Sequence, residues 1–237
     1  MHNYNFIQKI LHNFYLGNKF IKKCSFEIEK ILFLKKNFKI DLEKHIFITS
    51  LPRSGTTALL NFFYETNQLT SLTYRNMPYI MSTNLSRFFQ RVKNFEKKER
   101  FHQDGILYDL NSPEAFDEVF FSTFSDLEIK KELTNFISLI LLNKKNKRYL
   151  SKNNFNFKRI NLLSEILGNS VFIIPFRKPL QHSYSLLNQH RHFTNLQNKD
   201  DFMIKYMNNL GHNEFGNGHK PWNFPKKYNN FFELNYW

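Results

Sequence analysis

The sequence predicts an α/β protein whose central parallel sheet is flanked by helices on both faces. Residues 45–51 and 171–176 are two short apolar runs bounded by turn residues, which is typical of buried strands. Stretches in which apolar residues recur at helical spacing lie before, between and after these runs. Strands that alternate with helices in this way form a three-layer structure, and 237 residues are enough for one such domain.

Helices are predicted for the N-terminal segment, residues 1–44, where Ile7, Ile10 and Phe14 follow helical spacing. We predict that this segment packs on an α/β domain that spans residues 45–237. The same pattern of apolar residues leaves open a peripheral contact between the segment and a membrane surface. No apolar run in the sequence is long enough to predict a transmembrane segment.

The other elements are predicted in chain order from apolar spacing, turn residues and prolines. A helix over residues 55–66 follows the first strand, and a short strand is expected at residues 148–152. Further helices are predicted over residues 77–90, 113–124, 127–142, 156–167 and 179–192. Ligands of parallel sheets bind at the carboxyl ends of the strands, which is where the loops containing Arg53 and Arg177 are expected.

The chain is strongly basic, because 34 Lys and Arg residues against 20 Asp and Glu residues give a formal net charge of +14. Such a charge favours an anionic partner, and the alternatives are a small polyanion, a membrane surface and a nucleic acid. No recognised nucleic-acid-binding module accompanies the charge, so we predict no nucleic-acid partner. The single cysteine, Cys24, excludes an intramolecular disulfide and a cysteine metal cluster, and a cytoplasmic location is predicted.

The first strand leads into the sequence PRSGTT, which contains one glycine before the next apolar run. A tight strand–turn–helix connection points backbone N–H groups and the positive end of the helix dipole at an anion. Hydroxyl groups add donors, and an arginine can bind two oxygens at once. The predicted anion-binding residues are Arg53, Ser54, Gly55, Thr56 and Thr57.

This loop differs from the P-loop of nucleotide-binding proteins, GxxxxGK[ST], although the predicted fold is P-loop-like. Thr56 occupies the place of the lysine, and the cation, Arg53, precedes the glycine. The strand at 171–176 is followed by Arg177 rather than by the acid that helps to hold Mg²⁺, and ILYD at 106–109 is a weak substitute. The residues therefore favour a phosphate-type anion held without metal, and a Mg²⁺-dependent nucleotide kinase is the alternative.

A second anion-binding segment is predicted in FIIPFRKPLQHSYSLLNQHRHF, residues 172–193. Arg177 ends the strand, Pro179 opens a helix, and Ser185 lies on that helix eight residues after the arginine. An arginine at a strand end and a serine on the inward face of the helix can together clamp an anion. Taken alone, this pattern is weakly specific.

Together, the two segments resemble the donor-binding motifs of sulfotransferases that use PAPS (3′-phosphoadenylyl sulfate). The likeness covers about residues 44–220 and is closest to the bacterial group related to carbohydrate and tyrosylprotein sulfotransferases. The resemblance implies that the PRSGTT loop binds the 5′-phosphosulfate and that Arg177 and Ser185 bind the 3′-phosphate. It also implies that Lys152, which follows a short strand, approaches the transferring sulfonate.

The resemblance implies an enzyme that moves a sulfonate group from PAPS to a hydroxyl or amine of a carbohydrate, lipid, peptide or small molecule. PAPS is then the co-substrate, and no metal is expected. Three features depart from the family pattern. Lys178 stands where an acid is frequent, and the sequence has no late basic glycine motif of the kind that cytosolic members use to cover the adenosine phosphate. The chain also ends at NNFFELNYW, where relatives typically enter another helix. A short C-terminus favours the alternative of a truncated, non-catalytic domain that binds PAP or an anionic glycan.

The acceptor must lose a proton to a general base, and the candidates lie in residues 100–121. His102 has a suitable intrinsic pKa, whereas Asp104, Glu114 and Glu118 are carboxylates whose pKa burial can tune. Glu114 and Glu118 are expected to share one face of the helix predicted there. We predict that Glu114 or His102 is the base.

Overall fold

The computed structural model of the protein describes residues 4–34, 44–88, 96–142, 144–145, 148–222 and 230–237. The strands are β1 (Ile46–Ile48), β2 (Lys98–Glu99), β3 (Leu107–Tyr108), β4 (Leu150–Lys152) and β5 (Val171–Ile173). β4, β1 and β5 form a parallel sheet in that order, in which Ile46 pairs with Leu150 on one side and with Val171 on the other. β2 and β3 form a separate antiparallel pair, which the sequence pattern did not predict.

Helices make up most of the remaining regular secondary structure of the described chain. They are α1 (Phe6–Gly17), α2 (Lys19–Phe33), α3 (Thr56–Glu65), α4 (Glu118–Thr123), α5 (Asp126–Leu141), α6 (Ile160–Leu167), α7 (Pro179–Gln197) and α8 (Asp201–Leu210). Short 3-10 turns lie at Tyr74–Asn76, Leu85–Phe88, Asn156–Lys158 and Leu234–Tyr236.

Helices cover both faces of the parallel sheet, and this arrangement confirms the predicted α/β class with three layers. Phe47 faces the larger core, where its ring stacks on Phe172 at 5.6 Å between centroids and side chains of α2, α4, α5 and α6 pack. Ile46 and Ile48 face the opposite side and pack with Leu60 of α3. Successive side chains of a strand point to opposite faces, so a strand that is apolar at every position is buried on both.

The helix predicted over residues 77–90 is wrong for the described part of that stretch, which forms turns and the 3-10 turn Leu85–Phe88. The carboxylate of Glu29 accepts hydrogen bonds from the backbone N–H groups of Asn84 at 2.6 Å and Leu85 at 2.9 Å. A carboxylate from α2 therefore satisfies amides that a helix would bond to its own carbonyls. The last two residues of the predicted helix lie outside the described residues.

The helix predicted over residues 113–124 begins later than expected, because α4 starts only at Glu118. Pro113 instead forms an isolated antiparallel bridge with Thr73. The backbone N–H of Glu114 donates to the backbone oxygen of Leu72 at 3.1 Å instead of taking part in a helical turn. The prediction that Glu114 and Glu118 share one helix face is wrong.

The N-terminal helices begin with a capping box, in which Asn5 and Gln8 exchange two hydrogen bonds of 2.8 and 2.9 Å. Helix α1 packs on α2 and on α8, and the ring of His12 stacks on Tyr206 at 4.7 Å. Residues 1–3 and 35–43 of the predicted N-terminal segment lie outside the described residues. The domain boundary at residue 45 stays a prediction.

The outward side of α1 carries exposed apolar side chains, namely Phe6, Ile7, Ile10 and Phe14. A peripheral contact with a membrane therefore stays a prediction for this helix. Among the described residues, no helix combines the length and the hydropathy that crossing a bilayer requires.

Candidate functional site

The PRSGTT loop lies at the carboxyl end of β1, the central strand, and leads directly into α3. Two of its residues have left-handed backbone conformations, Arg53 with φ of 69° and Gly55 with φ of 95°. Gly55 precedes the first residue of α3 and gives its N-terminus no side-chain cap. The first-turn N–H groups of α3 thus lack a capping side chain from this residue, which suits them to an anion.

Four hydrogen bonds tie this loop and the end of the preceding strand segment to the second predicted segment, and each joins residues more than 120 positions apart. Arg53 Nε donates to Ser185 Oγ at 3.3 Å, and Arg177 Nη1 donates to the backbone oxygen of Arg53 at 3.0 Å. His182 Nε2 donates to the backbone oxygen of Pro52 at 2.7 Å. The fourth bond runs from Ser50 Oγ to the backbone oxygen of Pro175 at 2.6 Å. The fold therefore brings the two cationic segments together at one edge of the sheet.

A cavity of about 1120 Å³ opens beside the loop. All but one of the residues predicted for the site line it, and the exception is Ser185, which is half-buried. The predicted residues in the wall are Arg53, Ser54, Gly55, Thr56, Thr57, His102, Glu114, Lys152 and Arg177. The donor-loop residues and the candidate catalytic residues therefore share one cavity.

Arg100 lies at the centre of the charges in this cavity and was missed in the sequence. Its guanidinium donates to Asp104 Oδ2 at 2.6 Å, to Glu114 Oε2 at 2.9 Å and to Thr57 Oγ1 at 3.3 Å. Asp104 also accepts from Arg53 Nη1 at 3.0 Å. Arg100 thus links the donor loop to the candidate base through buried, charge-assisted hydrogen bonds.

Glu114 is almost fully buried and surrounded by donors. Tyr74 Oη donates to it at 3.0 Å, and Lys152 Nζ lies 3.7 Å from its other carboxylate oxygen. Burial by itself would raise the pKa of Glu114, but Arg100 and Lys152 outweigh burial and hold this pKa well below its ordinary range. Glu114 is therefore ionised, and the charges of Arg100 and Lys152 lower its affinity for a proton.

His102 is neutral in this arrangement. Burial, with the nearby charge of Arg100 as the next cause, lowers the pKa of His102 to about 3. Its ring meets the edge of Phe193 at 5.0 Å between centroids. Asp104 is ionised, because its hydrogen bonds and charge interaction with Arg100 overcome burial and lower its pKa to about 2.

Lys152 ends β4 and is held by polar neighbours on both sides. Ser151 Oγ makes a short hydrogen bond to the Asp117 carboxylate, and Asn153 Nδ2 donates to the same group at 3.2 Å. Asn153 also donates to Glu118 at 2.7 Å. Burial raises the pKa of Asp117 to about 6. This network fixes the strand end that presents the lysine, and it gives Glu118 a supporting place outside the cavity wall.

His212 and Glu214 also line the cavity and were not predicted as site residues. Glu214 accepts from Asn154 at 3.1 Å and lies 3.5 Å from His212 Nδ1, while His212 Nε2 donates to the backbone oxygen of Ala115 at 3.0 Å. Burial lowers the pKa of His212, but the charge of Glu214 outweighs burial and raises it. The signal that could have indicated them is the polar stretch HNEFGNGH at residues 212–219.

The described residues contain no group of three or more His, Cys, Asp or Glu side chains arranged to hold a metal ion. Six Lys and Arg side chains and four carboxylates line the cavity, and two of the carboxylates are paired with Arg100. Such a site, at the carboxyl edge of a parallel sheet, is suited to a ligand with more than one anionic group.

The chain belongs to the sulfotransferase family, because the family model described by that name matches residues 45–223. This match confirms the resemblance drawn from the two loops. Membership supports sulfonate transfer as the general activity. The chain is also similar in structure to sulfotransferase STF9 from Mycobacterium avium, with 10% sequence identity and a TM-score of 0.49 over 90% of this chain and 67% of that one. A search of curated proteins found no match.

Proposed function

We propose that the protein transfers a sulfonate group from PAPS to the hydroxyl or amine of an acceptor. The observation that carries this proposal is the 3.3 Å hydrogen bond between Arg53 and Ser185. It joins the two segments whose motifs resemble the 5′-phosphosulfate and 3′-phosphate sites of the family. Two anion-binding loops at one sheet edge suit a donor that carries phosphate groups at both ends of a ribose.

In this proposal the backbone amides and hydroxyls of residues 54–57 bind the phosphosulfate end of the donor, at the N-terminus of α3. Arg53 contributes a planar guanidinium that can bind two oxygens. Arg177, which is exposed at the rim, and Ser185 bind the 3′-phosphate. Asp104 neutralises Arg53 in the absence of ligand, and an anionic ligand competes with it for that charge.

Lys152 and Arg53 are the proposed electrostatic catalysts. Sulfonate transfer displaces a phosphate from sulfur in line with the attacking acceptor, and negative charge grows on the oxygen that leaves. Preorganised cations in a site shielded from water stabilise such charge strongly. The buried position of Lys152 and its support by Ser151 and Asn153 favour this role over that of a solvated loop lysine.

Glu114 is the proposed general base, in preference to His102. Both groups lie in the cavity wall, but Glu114 lies beside Lys152, the proposed contact of the transferring group. A bound sulfonate shares the charge of Lys152 and so weakens the hold of this lysine on Glu114. The pKa of Glu114 then rises, which makes it a better proton acceptor when the donor is bound.

The first test is a thermal-shift titration with PAP, the product left after sulfonate transfer. At a PAP concentration of about 100 times Kd, we expect a stabilisation of about 2.7 kcal/mol. For a chain of this size that corresponds to a rise in Tm of roughly 5–10 °C. Arg53→Ala and Arg177→Ala should each abolish most of this rise, because each removes a charged contact to a different phosphate.

The matched control is Arg87→Ala, which removes an exposed arginine that does not line the cavity and should leave the PAP shift intact. ATP with Mg²⁺ serves as the second control ligand. A shift with ATP and Mg²⁺ alone would support the nucleotide kinase instead. A chain that PAP leaves unstabilised would refute the donor site, and binding without turnover would support the non-catalytic alternative.

We also propose that the protein works in the cytoplasm with a small-molecule donor and a separate acceptor. The single cysteine, Cys24, suits a reducing compartment. No nucleic-acid partner is proposed, because the cationic groups of the site lie in a cavity wall rather than along an open surface.

A further inference from the structure

One wall of the cavity is apolar and is built from three parts of the chain that are far apart in sequence. Helix α1 contributes Leu11, and Met77 follows the 3-10 turn Tyr74–Asn76. Helix α8 contributes Met203, Met207 and Leu210. Within the described residues, no side chain that α1 or α8 presents to the cavity carries a charge. The cations and carboxylates that line the cavity come from neither of these two helices.

The size of the cavity leaves room for more than the donor. Pockets for a single small ligand typically measure ~300–1,000 Å³, and this cavity measures about 1120 Å³. The two donor motifs contribute residues 53–57 and Arg177 to the lining, and the apolar side chains named above belong to neither motif. The apolar side is therefore available for an acceptor.

The apolar wall disfavours an acceptor covered with hydroxyl groups. A hydroxyl that is removed from water without a hydrogen-bond partner destabilises the complex. The side chains that α1 and α8 present to the cavity include few groups that can form such bonds, chiefly Gln8 and Tyr206. A sugar seated there would leave most of its hydroxyls without partners.

The methionines of the wall favour a flexible apolar chain. Three of the five methionines of the protein, Met77, Met203 and Met207, line the cavity. Methionine side chains are unbranched and polarisable, and they adapt to irregular apolar ligands. Met203 and Met207 are buried, at 3% and 7% exposure, and pack in a cluster with Phe193 and Phe215, which also line the cavity.

The candidate base lies where the two sides meet. Tyr74 donates to Glu114 at 3.0 Å, and its ring packs against Tyr108 and Phe116 at 4.4 and 5.3 Å between centroids. An acceptor whose reactive group faces Glu114 and Lys152 therefore extends its remaining atoms along aromatic and aliphatic side chains.

From this arrangement we infer that the acceptor is an amphiphile, a molecule with a hydroxyl group at the end of an apolar chain. The inference rests on the proposed use of PAPS. In the transfer, the acceptor oxygen forms a bond to sulfur while the bond from sulfur to the bridging phosphate oxygen breaks. PAP leaves with that electron pair, and the hydroxyl proton passes to Glu114.

The test is calorimetric titration of the PAP-saturated protein with a series of 1-alkanols from butanol to octanol. Each added CH₂ group should tighten binding about fourfold, the factor for burying one methylene. The heat-capacity change of binding should be negative and should grow with chain length. Glycerol, a compact polyol, should bind more weakly than any member of the series.

Leu11→Glu places a charge in the apolar wall and should weaken octanol binding at least tenfold while PAP binding stays unchanged. Ile10→Glu places the same charge on the exposed side of the same helix and should leave both ligands unaffected. Leu11→Trp provides a second variant without charge. The larger side chain fills part of the cavity beside the apolar wall and should weaken octanol binding more than butanol binding.

The outcomes separate this inference from the proposed function. If PAP binds and alkanol affinity is independent of chain length, or if glycerol binds more tightly than octanol, the amphiphilic acceptor is refuted and the donor site stands. If PAP fails to bind, the proposed function is refuted. The alkanol series repeated without PAP then still decides whether the cavity binds an apolar chain.

Discussion

Replacing Lys152 by alanine should lower the rate of sulfonate transfer from PAPS by two to three orders of magnitude. Removal of one preorganised donor from a developing negative charge costs about 10²–10³ in kcat. Lys152 is about 8% exposed, and as the last residue of β4 it lies beside Glu114. Single-turnover rates at saturating PAPS, with an acceptor identified by the alkanol series, measure this effect directly.

The prediction has two internal checks. PAP affinity should change little in Lys152→Ala, because PAP lacks the sulfonate that this lysine is proposed to contact. Lys158→Ala removes a lysine six positions further on, whose ammonium group donates to the backbone oxygen of Trp222 at 3.1 Å. That control should keep the wild-type rate. Equal losses in both variants, or a loss confined to KM, would show that Lys152 has no role in the chemical step.

The edge of the sheet that holds the site was predictable because its signals are local. The alternation of apolar runs with PRSGTT and with the Arg177–Ser185 segment specifies two strand ends and two following helices. Parallel strands that neighbour each other end at the same edge. The contact between Arg53 and Ser185 follows from that topology, although their separation of 132 residues hides it in the sequence.

The charges that complete the site were not predictable, because they depend on contacts between distant segments. Arg100 was overlooked because it sits in a polar, charged stretch that resembles a solvated loop. In the fold it is buried between Thr57, Asp104 and Glu114. Arg100 becomes buried and forms these hydrogen bonds only because its stretch packs against α3 and the segment of the Pro113 bridge.

The helical errors have a related cause. Residues 77–88 and 113–117 have enough apolar residues for a helix, but the backbone amides of Asn84, Leu85 and Glu114 bond to other segments. Helix α8 was not predicted, although Asp200 caps it and its apolar residues follow helical spacing. Its packing on α1 is what creates the apolar wall, and no local pattern indicates that two such distant helices meet.

Replacing Arg100 by leucine should destabilise the protein by about 3–5 kcal/mol at pH 7, the cost of breaking a buried ion pair by removing one partner. Asp104 and Glu114 are about 7% and 10% exposed, and both would lose their strongest cationic contact. Urea denaturation at pH 7 measures the loss. Arg87→Leu, at an exposed arginine, should change stability by less than about 0.5 kcal/mol.

The pH dependence distinguishes lost charge pairing from lost packing. In the wild type the folded-state pKa values of Asp104 and Glu114 are depressed, to about 2 for Asp104. Their stabilisation is therefore complete above the unfolded-state pKa, near 4, and is lost as the pH falls towards 2. In Arg100→Leu, burial without the guanidinium raises both pKa values. Lowering the pH therefore protonates these carboxylates and removes the free-energy cost of burying them as charged groups. The stability gap between wild type and variant should accordingly narrow as the pH falls from 7 to 4, and a gap that stays constant would mean that Arg100 stabilises the fold only by packing.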